Sequence, residues 1–147
     1  MNKIIVFDID GTLANVEHRR QFVASRPKNW AAWNAGMAND TVNEDIRWML
    51  DSFLNRTGTK IVLCSGRGEE TRAVTEQWLG DNFIHFDALF MRRAKDHRKD
   101  SIVKVELLQQ IREQWGEPFL WIDDRRQVVD AIRAEGVRVL QVEAGEF

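Results

Sequence analysis

Five short apolar runs punctuate the chain, at residues 3–8, 59–65, 88–91, 119–122 and 137–142. Each is aliphatic or aromatic almost throughout, which is the pattern of strands covered on both faces rather than on one. Between them the apolar residues fall at helical spacing. Ile46, Met49, Leu50, Phe53 and Leu54 form one such stripe, entered through Thr41 and Glu44 in a capping-box arrangement and closed by the polar stretch 55–58. Further helices are predicted over 70–79, 101–115 and 127–135, the last two followed by Gly116 and Gly136 as left-handed stops. Strand and helix patterns in alternation predict an α/β fold: a parallel sheet of five core strands with helices on both faces.

Residues 15–39 break the alternation. They hold Arg19, Arg20, Arg26, Pro27, Lys28, Trp30 and Trp33, with room for one or two short helices. An insert directly after the first strand lies over the C-terminal edge of the sheet, where open α/β folds bind ligands. Two readings stand: a surface loop whose tryptophans pack onto the body, or a small cap that covers a substrate. Trp48, Trp78, Trp115 and Trp121 fall inside predicted helices or a strand and are expected to be core or half-buried.

Composition narrows the class. At 147 residues and 44% hydrophobic content, the chain is expected to form one domain over 1–147 with the 15–39 insert. A net charge of −2 excludes bulk polyanion binding, so any nucleic-acid contact must be local. The lone Cys64, inside an apolar strand, is read as a small buried hydrophobe. With no internal disulfide, no signal-peptide pattern and no apolar run approaching ~18 residues, the expected setting is cytoplasmic, in a bacterium or an infected host cell, without membrane contact.

Candidate chemistry sits at the strand ends. Asp8 and Asp10 close the first strand two residues apart, and if strand geometry persists both carboxylates point to one side, roughly 6 to 7 Å apart. Two such charges call for a cation, and a hard divalent ion such as Mg²⁺ fits oxygen ligands. The second strand runs into Ser65-Gly-Arg-Gly68 ahead of a helix, and the fourth into Asp123 and Asp124. In a parallel sheet these ends share one edge. Between Arg92 and Lys99, five basic residues face one acid, a local net of +4. Lys99, directly before a helix and near the third strand's end, is the one expected to reach the shared site; Arg92, Arg93 and Lys95 are expected to be solvated. The set describes metal-dependent phosphoryl transfer. Asp8 is the candidate nucleophile and Asp10 the acid/base. Ser65 and Lys99 would hold phosphoryl oxygens, and Asp8, Asp10, Asp123 and Asp124 the metal.

At these residues the chain resembles the haloacid dehalogenase superfamily, whose four motifs match Asp8-Ile-Asp10-Gly-Thr12, Ser65, Lys99 and Asp123-Asp124. The stretches FDIDGTLA, IVLCSGR, RKDSIVK and IDDRRQVVDAIRAEGVRVLQV more closely resemble the 3′-phosphatase domain of phage polynucleotide kinases. The resemblance implies a Rossmann-like strand order 3-2-1-4-5 and an aspartyl-phosphate intermediate. It adds Thr12 to the catalytic set, and Gly66, Arg67 and Arg98 as substrate-phosphate contacts. No G-x-x-x-x-G-K-[ST] occurs in the chain, so the expectation is a stand-alone phosphatase whose kinase or ligase partner is separate. The expected substrate is a phosphorylated nucleic-acid end or nucleotide, with Trp30 or Trp33 available to stack a base. The alternatives are a small-molecule phosphatase such as a 5′-nucleotidase, and a catalytically silent module that binds phosphorylated ends.

Overall fold

The computed structural model describes residues 1–147. In chain order its elements are β1 (Lys3–Phe7), β2 (Ala14–Asn15), α1 (Trp30–Ala35), β3 (Thr41–Val42), α2 (Glu44–Leu54), β4 (Thr59–Gly68), α3 (Arg72–Asp81), β5 (Ala88–Arg92), α4 (Asp100–Gln114), β6 (Pro118–Arg125), α5 (Arg126–Ala134) and β7 (Val139–Gly145). The main sheet is parallel throughout, in the order β5-β4-β1-β6-β7. Counted over the five core strands, that is 3-2-1-4-5.

Side-chain parity along the strands decides what lies where. Ile5, Phe7, Ile61, Leu63 and Ile122 face one side, against Ile46 and Leu50 of α2 and Trp78 and Leu79 of α3. Ile4, Val6, Val62, Cys64 and Trp121 face the other, against Val103, Leu107, Leu108 and Ile111 of α4 and Val128, Val129 and Ile132 of α5. Both faces of the sheet are therefore buried, each large aliphatic side chain contributing about 1.5 to 3 kcal/mol. Burial also pushes the Cys64 thiol far up, so it stays protonated, as a packing residue would.

Several boundaries move. Thr41 does not cap α2: Thr41 and Val42 pair antiparallel with Asn15 and Ala14, and the cap position passes to Asn43. Asn43 Nδ2 donates to the Thr12 carbonyl at 2.8 Å, tying the start of α2 to the turn after β1. β6 continues through Asp123 and Asp124 to Arg125, so the second aspartate pair sits in a strand rather than after it. Gly116 (φ 123°) and Gly136 (φ 87°) do take left-handed conformations behind their helices. Trp78 and Trp121 are buried and Trp115 half-buried, but Trp48 is 74% exposed, on the outer face of α2. The β2–β3 pair brackets the insert, which folds into a 3-10 turn over Glu17–Phe22, α1, and a second 3-10 turn over Met37–Asn39. It buries Arg19 and Met37 completely, which a plain surface loop would not do.

Candidate active site

β1 stops at Phe7, and the chain turns back through residues 9–14, where Thr12 N–H and Ala14 N–H both donate to the Ile9 carbonyl. Asp8 shares the parity of Ile4 and Val6, and so falls on the α4 side of the sheet. There Lys104, fully buried in the first turns of α4, donates to Asp8 Oδ1 at 2.7 Å and to Asp123 Oδ2 at 2.8 Å. Thr12 Oγ1 donates to Asp8 Oδ2 at 3.0 Å.

Asp8, Asp123 and Asp124 present carboxylate oxygens that all lie within 4.8 Å of one another. The two neighbouring aspartates differ sharply. Asp123 is saturated: besides Lys104 it accepts from Trp121 Nε1 and from the backbone N–H groups of Asp124 and Arg125. Asp124 has a single long contact, 3.5 Å from Thr12 Oγ1, and its Oδ2 is buried without any partner. An unpartnered buried carboxylate oxygen is costly unless a cation completes it. Three carboxylates against one ammonium leave an excess of two negative charges, the complement of a divalent ion, and the all-oxygen donor set suits Mg²⁺. Burial, then the charge of Asp123, push the Asp8 carboxyl well above its ordinary range, and raise Asp124 to about 6. Gly11, at φ +83°, packs its backbone against the Asp124 carboxylate where a Cβ would collide.

Asp10 does not join this cluster. The turn carries its carboxylate to two guanidiniums: Oδ1 accepts from Arg67 Nη2 at 2.6 Å, Arg67 Nε at 3.1 Å and Arg19 Nη2 at 2.9 Å. The metal-ligand role expected of its side chain is therefore corrected, because its charge is already balanced. Burial alone would raise its pKa, but Arg67 and Arg19 outweigh that and hold it below the ordinary carboxylate value. Behind the arginines lies Asp40, its side chain fully buried, which accepts from Arg19 Nε at 2.8 Å, Arg19 Nη2 at 2.6 Å, Arg67 Nη2 at 3.2 Å and His18 Nε2 at 2.6 Å. Trp33 stacks on the Arg19 guanidinium at 4.1 Å and is thereby occupied; Trp30 remains 55% exposed.

The remaining expectations divide. Ser65 is buried one strand over, its Oγ accepting from Arg67 N–H at 3.1 Å. Gly66 lies against the Asp100 carboxylate, again where a Cβ would collide. Lys99 stands exposed at the N-cap of α4; Lys104, one and a half turns on, is the lysine that reaches Asp8. Arg98 is exposed too, bound to Asp96 and Glu106 rather than turned to the site. Arg92 is not solvated: it donates to the Gly66 carbonyl at 2.8 Å and to Asp100 at 3.2 Å. Lys104 carried a readable signal, since it heads the stripe Lys104, Leu107, Leu108, Ile111, which is otherwise wholly apolar and buried. Arg19 and Asp40 carried none, lying in or beside the insert.

A parallel sheet in this order, with buried carboxylates and a lysine at its C-terminal edge, is the arrangement of the haloacid dehalogenase class. Within that class, the chain belongs to the polynucleotide kinase phosphatase family: the family described as "Polynucleotide kinase PNKP phosphatase domain" matches residues 2–147. A chain in the structure of the Pnkp1/Rnl/Hen1 RNA repair complex is 32% identical, with a TM-score of 0.84 over 100% of this chain and 44% of that one. A chain in a further structure of the Pnkp1/Rnl/Hen1 complex is 35% identical, with a TM-score of 0.82 over 100% and 48%. The present chain thus spans about half the length of these relatives. A haloacid dehalogenase-like hydrolase from Streptococcus pneumoniae, 14% identical with a TM-score of 0.67 over 95% of this chain and 84% of that one, shares the fold.

Proposed function

We propose that the chain is a Mg²⁺-dependent phosphomonoesterase that removes 3′-phosphates from nucleic-acid ends through an aspartyl-phosphate on Asp8. The observation that carries the reading is the division of the site. Asp8 and the open oxygen of Asp124 lie on one side, and Asp10 with its two arginines on the other. Mg²⁺ held by Asp8 and Asp124 would neutralise charge on the nucleophile and the phosphate. Lys104 and Thr12 orient the Asp8 carboxylate, and Asp123 anchors Lys104.

Asp8 attacks phosphorus, the bond to the 3′-oxygen breaks, and Asp10 gives that oxygen its proton. Water then attacks the aspartyl-phosphate, giving its proton to Asp10 as the bond to Asp8 breaks. In the free site Asp10 is ionised. A phosphate dianion bound beside Asp10 adds a like charge there, which raises its pKa, so substrate binding loads the acid. The Ser65 hydroxyl and the Gly66 N–H would hold equatorial oxygens. The family and the relatives from an RNA repair complex favour a nucleic-acid end over a metabolite, and favour assembly with a separate repair partner.

The test compares phosphate release from a 3′-phosphorylated oligonucleotide with that from 3′- and 5′-mononucleotides. Turnover of the oligonucleotide that is lost on chelation and in Asp8→Asn is expected. Turnover of a 5′-nucleotide with the oligonucleotide untouched would assign a small-molecule phosphatase instead. No turnover on any phosphoester would leave only a binding module.

A further inference from the structure

Resting on the nucleic-acid reading above, we infer that the strand carrying the terminal phosphate leaves the site over the loop between β5 and α4, residues 93–99, and not over β7. The two rims of the site carry opposite charge. On the β5 rim, the loop is held from within by Arg92, which donates to the carbonyls of Gly66, Asp96 and Arg98 and to Asp100, and by Arg98 bound to Asp96. With those two arginines engaged, Arg93, Lys95 and Lys99 are left exposed and make no ion pair, while Lys95 takes a left-handed backbone at φ 65° that turns the loop. The loop adjoins the chemistry: Asp100, at its end, packs on Gly66 and lies 3.5 Å from Arg125, the residue after Asp124.

On the β7 rim lies a cavity of about 320 Å³, lined by Gly11, Glu17, Arg20, Asp124, Glu143 and Phe147 among others. Its one cation is engaged, since Arg20 donates to Glu17 at 2.7 Å and stacks on Phe147 at 4.7 Å. Arg125 covers the other contact of that ring at 5.0 Å, and Arg126 pairs with Asp130 and Glu146. Glu143 has no cationic partner. A polyanion crossing this rim meets unbalanced carboxylate; one crossing the β5 rim meets three free cations on a pre-ordered loop, and exposed charges act over ~8 Å at physiological salt.

The experiment measures steady-state kinetics of the full chain with Mg²⁺ on a 3′-phosphorylated single strand of about ten nucleotides and on a 3′-mononucleotide. The double variant Arg93→Gln/Lys95→Asn is expected to raise KM severalfold for the oligonucleotide, leaving its kcat and both constants for the mononucleotide unchanged. The slope of log(kcat/KM) against log[salt] should become shallower by about 1.4, at ~0.7 per lost contact on a single strand. Glu143→Gln should leave that slope as it is. If the wild type hydrolyses the oligonucleotide but the double variant changes neither KM nor slope, or if Glu143→Gln is the variant that shifts them, the exit path is wrong and the activity stands. Wild-type turnover of mononucleotides alone overturns both.

Discussion

Lys104 shows how one side chain sets the character of the site. Burial opposes its charge, yet Asp123 and Asp8 together raise its pKa well above the ordinary value, so it is an ammonium fixed between two carboxylates. Truncating one member of such a group leaves buried charge unpaired, at a cost of about 3 to 5 kcal/mol. Lys104→Ala is accordingly expected to lower the unfolding free energy by about that amount in metal-free buffer, measured by urea titration, and to regain part of it when Mg²⁺ is added. The two adjacent aspartates should separate in the same assays. Asp124→Asn, which alters the carboxylate with the open oxygen, should weaken Mg²⁺ binding by calorimetry with the fold intact. Asp123→Asn, which removes the acceptor of Lys104 and Trp121, should destabilise the fold.

Among the elements, the turn after β1 is the one that sends Asp8 and Asp10 to different partners. Gly11 at φ +83° against the Asp124 carboxylate has no room for a side chain, so Gly11→Ala should cost more than the ~1 kcal/mol of backbone strain alone and should reduce turnover more than it reduces the melting temperature. This turn also marks where sequence reasoning fails. All five strands and the four helices α2 to α5 are legible in periodicity, because burial on both faces of a sheet is recorded residue by residue. The sharing of one edge by Asp8, Ser65 and Asp123-Asp124 follows from parallel topology. The partners of Asp8 and Asp10 do not. Extending strand geometry past Phe7 puts both carboxylates over one cation, whereas the turn gives Asp8 a lysine and Asp10 two arginines. Position at a strand end points to Lys99, whereas helical spacing puts Lys104 on the buried stripe. Arg19 and Asp40 come together from either end of the insert, a long-range pairing that no local pattern encodes.

Across the whole molecule, the sheet brings two charge systems to one edge: a balanced set of Asp10, Asp40, Arg19 and Arg67, and an unbalanced set of Asp8, Asp123, Asp124 and Lys104. Their pH responses have opposite sign. Asp10, held below 3.8, contributes stability that is present above that value and lost as pH falls through its folded pKa. Asp124, raised to about 6, and Asp8, raised as well, act the other way: the stability is fully present below 3.8 and is lost as pH rises through the folded values. In chelator the chain should therefore lose stability, read as the urea midpoint, as pH rises from about 4 to about 6. Mg²⁺ should abolish most of that loss. The central claim, that Asp8 carries the phosphoryl group, is tested most directly by acid-quenching the protein during turnover of an oligonucleotide with a radiolabelled 3′-phosphate. Label bound to the peptide containing Asp8, released by hydroxylamine and absent from Asp8→Asn, is the predicted result; rapid phosphate release with no label on the protein would contradict it.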